Sequence, residues 1–376
     1  MPIAPSELRQ QGIQRLLAAR ASSSVPTAFI GLDGFVDEIT RVVDQRQDGS
    51  AFRAIATIGD LARRIADASG KSTNIELVVE RTKIGGNGPI MANALCQLGV
   101  KVTYVGALGL GKPHRVFEDL CSRAEVHSIA DPGHSDALEF NDGKIMLGKL
   151  QPLMEVTWPM IQKRYSREGF IQHFSTCGLV GLVNWTMIPF MSDIWESLLS
   201  EVCPNLSGPR RKIFFDLADP QKRTPADIQR ALRLIQQFEP YFDVILGLNE
   251  KEASAIAEVM GVTASGGSRD SLISMVGLIH KRLGLHTLVV HPVTYALAID
   301  GHGVSLVEGP RISQPKITTG AGDHFNAGFC FGKLIGLETA QALLAGVCTS
   351  GFYVKEARSP GIDDLIGLLQ NWPPVT

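Results

Sequence analysis

Apolar positions along the chain follow two rhythms, and the change between them comes near residue 160. Before it, short β-rich runs stand out: "TAFIGL" (27–32), "IELVVERTKIGG" (75–86) and "KVTYVGALG" (101–109) read as strands. "ALEFNDGKIMLGKL" (137–150) reads as a hairpin about the turn residues Asn141, Asp142 and Gly143. Helical spacing recurs in "RQQGIQRLLAARASSSVP" (9–26) and in "FRAIATIGDLARRIADASG" (52–70), which ends on a glycine stop signal. "GPIMANALCQLGV" (88–100) and "KPHRVFEDLCSRA" (112–124) predict two further helices. From residue 170 the alternation is regular. Strands at 179–185, 212–218, 244–249, 286–292 and 295–301 alternate with helices at 191–202, 225–239, 250–260 and 268–284, and two more helices close the chain at 324–337 and 339–354. Such alternation predicts a parallel sheet covered by helices on both faces, with the earlier period-two segments forming an antiparallel addition, a lid. The expected organisation is an N-terminal helical extension (1–26), one α/β domain (27–370) with lid segments near 33–52 and 125–157, and a short tail (371–376). The polar run at 264–270 is expected to be a surface loop.

Composition narrows this picture without changing it. The 376 residues are 44% hydrophobic and 20% charged, ordinary for a globule with a sizeable core. A net charge of −2 gives no electrostatic footprint for nucleic acid, and no apolar stretch reaches the length of a membrane span. The six cysteines show no CxxC pair or metal spacing, so buried free thiols and a reducing cytoplasm are expected. The start lacks the apolar region of a signal peptide, although its arginines and serines leave a transit-peptide alternative open.

Candidate chemistry sits in "TTGAGDHFNAGF" (318–329), where Gly320, Ala321 and Gly322 precede Asp323 and then an apolar helix. Glycines are poor helix interior, each costing about 1 kcal/mol relative to alanine. At a helix N-terminus, however, free backbone N–H groups and the helix dipole form an anion site. A carboxylate beside such a site repels a phosphate, so its presence calls for a reason. Acting as a general base toward a hydroxyl that attacks phosphorus is one. The competing reading is a tight turn with a capping aspartate.

Other segments weigh on that choice. "GGNGPIMANALCQLGVKVTYVGALG" (85–109), "FFDLADP", "LGLNEKEA" (246–253) and "TTGAGDHFNAG" together resemble the motifs of the ribokinase or PfkB-type carbohydrate kinase family, in family order and across roughly residues 27–365. The resemblance implies a ribokinase-like three-layer α/β sandwich with a central, mostly parallel sheet and a small β lid. It also implies Mg-ATP as phosphate donor and a sugar or sugar-like small molecule as acceptor. Carried over, Asp323 is the general base and Gly320, Ala321 and Gly322 form the anion hole, with Thr318 and Thr319 beside the nucleotide. Asn249 and Glu252 organise Mg²⁺ through water, which suits a hard cation; a helix cap is their structural alternative.

For the acceptor, "GLDGFVDEI" (31–39) offers two carboxylates: Asp37 lines up best with the family pattern, whereas Asp33 lies closer to the strand end. Gly85 and Gly86 let the backbone approach a sugar, and Asn87 is a hydroxyl partner. A nucleoside acceptor, or a non-catalytic binding relative, stays open, as does a homodimer through the lid.

Four departures qualify the resemblance. Ile317 replaces the aspartate that relatives commonly use for an activating monovalent cation, which puts such a site in question. Ile90 replaces a frequent sugar-contacting asparagine, and "HPVT" (291–294) replaces a Thr-Leu-Gly tract near the nucleotide. The helix at 52–70 intrudes where many relatives have a short lid connection. Rival phosphate motifs fail: Gly106, Gly111 and Lys112 mimic a P-loop, but Pro113 follows, with neither hydroxyl nor N–H to offer. His291 reads as a strand-end histidine, and Trp158, Trp185 and Trp195 as packing.

Overall fold

The computed structural model describes residues 4–262 and 267–373. Residues 1–3 of the expected extension, 264–266 of the expected loop and 374–376 of the expected tail lie outside the described residues.

The strands, in chain order, are β1 (Thr27–Leu32), β2 (Phe35–Arg46), β3 (Phe52–Ala54), β4 (Leu77–Gly85), β5 (Lys101–Gly106), β6 (Glu125–Ser128), β7 (Gly133–Phe140), β8 (Gly143–Lys149), β9 (Leu179–Leu182), β10 (Arg211–Asp216), β11 (Phe242–Leu248), β12 (Thr287–Val290), β13 (Tyr295–Asp300) and β14 (Gly303–Glu308). Nine of them form one sheet in the order β14-β13-β12-β11-β10-β9-β1-β5-β6. Neighbours from β12 through β6 pair in parallel, and β13 and β14 add an antiparallel edge.

Strand alternation divides the core into two. Along β1, Phe29 faces one apolar layer, while Ala28 and Ile30 face the other. The first layer is completed by helices between residues 158 and 283. The second is completed by the helices Pro5–Ala21, Asn87–Gln97, Ala321–Leu334, Thr339–Glu356 and Ile362–Gln370. The result is a three-layer α/β sandwich. Trp158, Trp185 and Trp195 are all buried in the first layer, which is why none of them is free to stack on a ligand.

The lid is a separate five-stranded sheet in which β2 pairs β3, β4 and β7, and β7 pairs β8. The lid is not wholly antiparallel as expected: β2 runs parallel to β7, because the chain crosses the main sheet (β5, β6) between them. The helix expected over 52–70 is shorter, Ile58–Asp67, since Phe52–Ala54 is taken by pairing with β2 and Thr57 caps the helix by accepting from the Asp60 amide. Its Leu61 packs with Val42, Ile55, Leu138 and Phe140 as a small core of the lid. The helix expected over 112–124 contracts to a 3₁₀ turn (Arg115–Phe117) and Glu118–Cys121, because Pro113 and the capping ring of His114 bar an earlier start.

Candidate active site

In a parallel sheet, side chains that follow the strands gather at their carboxyl ends, and the crevice opens where strand order reverses. Here the reversal falls between β1 and β9. Asp33 follows β1, Asn184 lies just beyond β9, Asp216 ends β10, Asn249 follows β11 and His291 follows β12. The helix Ala321–Leu334 points its N-terminus at the same edge. A cavity of about 200 Å³ opens there, lined by Asn87, Asp216, Asn249, Glu252, His291, Gly322, Asp323 and Asn326.

The helix begins as its sequence dictates. Gly320 has φ +92°, a conformation that costs a non-glycine residue strain, and it turns the chain out of the loop into the helix. Tyr353 fixes the approach by donating from its hydroxyl to the Thr319 carbonyl at 2.9 Å. The Ala321 amide donates to the Thr318 carbonyl at 3.1 Å and so is not free to meet an anion. The amides of Gly322 and Asp323 have no partner among the described residues, as the first turn of a helix leaves them. Of the three residues expected to form the anion hole, Ala321 therefore shapes the turn, and Gly322 with Asp323 presents the open donors. Thr318 and Thr319 lie in the turn just before, and Lys144 of β8 donates to the Thr319 hydroxyl, tying the lid to the main domain.

Asp323 is buried, and the Asn87 amide donates to its Oδ1 at 2.8 Å. Burial, then the charges of Asp216 and Asp33, hold its carboxyl well above the ordinary carboxylate range; the Asn87 bond works against them. Burial and the Glu252 charge do the same to Asp216, which accepts from the Ala218 amide at 2.9 Å and the Asn326 side chain at 3.1 Å. Glu252 is raised mainly by burial. It accepts from the backbone amides of Asp219 and Asn249, each at 2.8 Å, while Asn249 Oδ1 accepts from the Glu252 amide at 2.9 Å. Asn249 and Glu252 thus form the helix cap that sequence offers as an alternative, and they line the cavity as well. Buried acids gathered this closely are electrostatically unfavourable, and the surroundings favour a cation. The buried Oδ1 of Asn326 lacks a partner among the described residues and adds a neutral oxygen. Carboxylate and amide oxygens are the donor set of a hard divalent ion such as Mg²⁺.

On the acceptor side the structure separates the two competing aspartates. Asp33 is fully buried: it accepts from the Gly88 amide at 2.9 Å and the Asn184 side chain at 2.6 Å, and burial pushes its carboxyl up to about 6. Asp37 stands in the lid on β2, opposite Lys83 of β4 and Ser135 of β7. Burial raises it too, against the charges of Lys83 and Lys144 and a hydrogen bond from Ser135. Gly85 and Gly86 join the two. A Cβ on Gly85 would sit 2.4 Å from an Asp37 oxygen, and one on Gly86, at φ +89°, would sit 2.8 Å from an Asp33 oxygen. Only glycine lets the chain pass between these carboxylates. Ile90, in place of the family's asparagine, packs its side chain beside Gly320.

Sequence reasoning left four nearby residues unassigned. Asp216 lies inside the quoted "FFDLADP" run, and its position as the last residue of a buried strand is the signal that marks it. Asn326, three residues past Asp323, shares its helix face at the spacing that brings side chains together. Asn184, at φ +61°, and Tyr104, whose hydroxyl donates to the Asp33 carbonyl at 2.6 Å, carry no sequence signal of their kind. His291 does end a strand as read, and it also lines the cavity beside Gly322, where burial lowers it to about 4 and keeps the ring neutral.

Comparison with known proteins bears on the fold and the family. The sequence matches the model of the prokaryotic ketohexokinase family over residues 13–372. The ketohexokinase of Haloferax volcanii is 27% identical over 339 residues, covering 90% of this chain and 89% of that protein. Among solved structures, ribokinase from Cryptococcus neoformans var. grubii in complex with ADP superposes with a TM-score of 0.63 at 17% identity, covering 93% of this chain and 99% of that one. Arabidopsis thaliana ribokinase complexed with ribose and ATP gives 0.63 at 17%, covering 92% and 99%. At such identities the structures establish the fold, the ribokinase-like sandwich that the motifs resemble. A family match that runs nearly end to end carries the rest: the chain belongs to the prokaryotic ketohexokinase family and is a carbohydrate kinase.

Proposed function

We propose that the chain transfers the γ-phosphoryl group of Mg-ATP to a hydroxyl of a ketohexose, with Asp323 as the general base. The observation that carries this reading is a single juxtaposition. The Asp323 carboxylate and the partnerless amides of Gly322 and Asp323 meet in one cavity with Asp216, Asn249 and Glu252. The amides and the helix dipole stabilise charge on the transferring phosphoryl oxygens. The acceptor hydroxyl lies within reach of Asp323, oriented by Asp37, Asn87 and the Gly85–Gly86 backbone. Asp33, bonded to Gly88 and Asn184, holds the glycine turn in place rather than meeting the sugar directly.

Asp216, Glu252, Asn249 and Asn326 would hold Mg²⁺ directly or through water. Bound there, the ion neutralises phosphate charge. A positive charge among these acids also lowers the proton affinity of Asp323, the state a base requires. The lid limits loss of the phosphoryl group to water, and Lys144 on Thr319 is its contact with the phosphate-side loop.

The test is a panel of acceptors (fructose and its ketohexose epimers, ribose, glucose, adenosine) assayed for ATP-dependent ADP release, with the product identified by phosphorus NMR. A ketohexose phosphate formed with the highest kcat/KM is expected. Adenosine as the preferred acceptor would favour a nucleoside kinase, and no transfer to any member would favour a binding protein.

A further inference from the structure

Away from the catalytic crevice, on the outermost strand of the main sheet, three potential ligand groups converge. Glu125 and His127 lie two apart on β6, so both side chains leave the same face of the strand. His173 reaches them from the helix Arg167–Thr176. His127 Nε2 is 3.0 Å and His173 Nε2 3.7 Å from the same oxygen, Glu125 Oε1, and all three ligand atoms lie within 4.8 Å of one another.

A tyrosine stands behind the cluster and touches both histidines. The Tyr165 hydroxyl lies 3.2 Å from the Gly169 carbonyl, to which it can donate, and also contacts His173 Nδ1. With the hydroxyl proton directed at that carbonyl, the tyrosine oxygen is the acceptor for an Nδ1–H of His173. A neutral imidazole protonated on Nδ1 carries a lone pair on Nε2. In that tautomer the lone pair faces the Glu125 carboxylate, an arrangement that a shared cation satisfies. Tyr165 also lies against the His127 ring, with centroids 4.0 Å apart, so one aromatic side chain orients both histidines. A hydrogen-bonded partner behind a metal-binding histidine is the usual way its coordinating nitrogen is presented.

We propose that Glu125, His127 and His173 bind a divalent transition-metal ion, zinc being the model, with water in a fourth position. Two imidazoles and one carboxylate suit zinc and its borderline neighbours, not Mg²⁺ or Ca²⁺, which prefer all-oxygen sites. The ligands are about one-third exposed (30% for His127, 28% for His173, 42% for Glu125), so an ion can enter from solvent and keep a water. The nearby Lys101 charge opposes the ion, which places the burden of affinity on the three ligands. Binding replaces the His127–Glu125 hydrogen bond, and the ring proton moves to Nδ1 of His127 so that the neutral imidazole offers its Nε2 lone pair to the metal. The ion bridges β6, an edge strand with one unpaired side, to the helix packed beside it. Its role is to staple the sheet edge, not to act on the sugar.

The experiment uses the full chain, stripped of metal on a chelating resin, with Zn²⁺ titrated in and bound metal measured by equilibrium dialysis and elemental analysis. His127→Gln and His173→Gln are each expected to lose one tight zinc per chain, with affinity at least tenfold weaker, while any zinc on the active-site acids stays. Tyr165→Phe keeps all three ligands and is expected to weaken binding roughly 10- to 100-fold, as loss of an orienting partner does. Co²⁺ on the unmodified protein reads the site even if a variant fails to fold: a strong visible d–d absorption marks a tetrahedral, imidazole-containing site. Zinc stoichiometry and affinity unchanged in both histidine variants, or only the faint spectrum of six-coordinate oxygen-bound cobalt, would overturn the proposal.

Discussion

A carboxyl group shut away from water, as Asp33 is, keeps its proton up to a pH of about 6. Its ordinary value is 3.8, so between those two values the folded chain binds more protons than the unfolded one. By linkage, the contribution of Asp33 to stability is fully present below about pH 4 and is lost as pH rises through 6. Asp33→Asn removes that dependence. The variant keeps an acceptor for the Gly88 amide, and Asn184 can turn its partnerless Oδ1 toward the new amide. Relative to wild type, the variant is therefore expected to gain stability on the order of 3 kcal/mol on going from pH 4 to pH 7.5, since each tenfold difference in proton affinity between the folded and unfolded chain is worth about 1.4 kcal/mol. Urea denaturation across that range measures it, and a wild-type–variant difference that does not move with pH contradicts it. Such behaviour was not legible in the sequence, where Asp33 and Asp37 are two acids four residues apart. Their environments differ because β1 buries one at the floor of the crevice and β2 carries the other into the lid.

At the scale of elements, the turn at Gly85–Gly86 joins the lid strand β4 to the helix that delivers Asn87 onto Asp323. The sequence displayed this turn, because paired glycines before a helix have few uses besides close approach. What they approach, two carboxylates, depends on residues some fifty positions away and could not be read locally. Gly86 sits at φ +89° and ψ 138°, a region that costs other residues about 1–3 kcal/mol. Gly86→Ala is expected to lose that much stability in urea and to raise the sugar KM, because its Cβ displaces Asp33 or the turn. An alanine variant with wild-type stability and KM would show that the turn is not constrained as described. Elements with strong periodicity were placed correctly, among them the helices at 225–239 and 268–284, observed as Pro225–Gln237 and Arg269–Leu283. The errors fell where long-range pairing overrode local pattern: Phe52–Ala54 has helical spacing, but β2 offers it a sheet edge.

For the molecule as a whole, the lid is the least enclosed part. Leu77 and Val79 of β4 and Met146 and Leu147 of β8 are 42–47% exposed, an unusual concentration of large apolar side chains on one small sheet. The proposal that two copies associate through the lid rests on these side chains. It predicts a dimer by light scattering after gel filtration, converted to a monomer by Leu77→Glu together with Leu147→Glu. A wild-type monomer at micromolar concentration would contradict it. The three-layer architecture was legible because strands and helices alternate over two hundred residues. The acidic crevice was only half legible, since Asp216 and Asn326 become partners through the fold alone.

The reaction proposed here depends on a carboxylate at position 323 taking a proton while neighbouring amides hold the phosphoryl group, and Asp323→Asn separates those tasks. The amide retains the shape and the Asn87 contact while it can no longer act as a base. Steady-state assays with the preferred ketohexose, paired with calorimetric titration of that sugar, measure both consequences. The expected result is a kcat lowered roughly 10²- to 10⁴-fold, the range of general-base catalysis, with sugar affinity changed by no more than a few-fold. A variant that turns over within tenfold of wild type would contradict it.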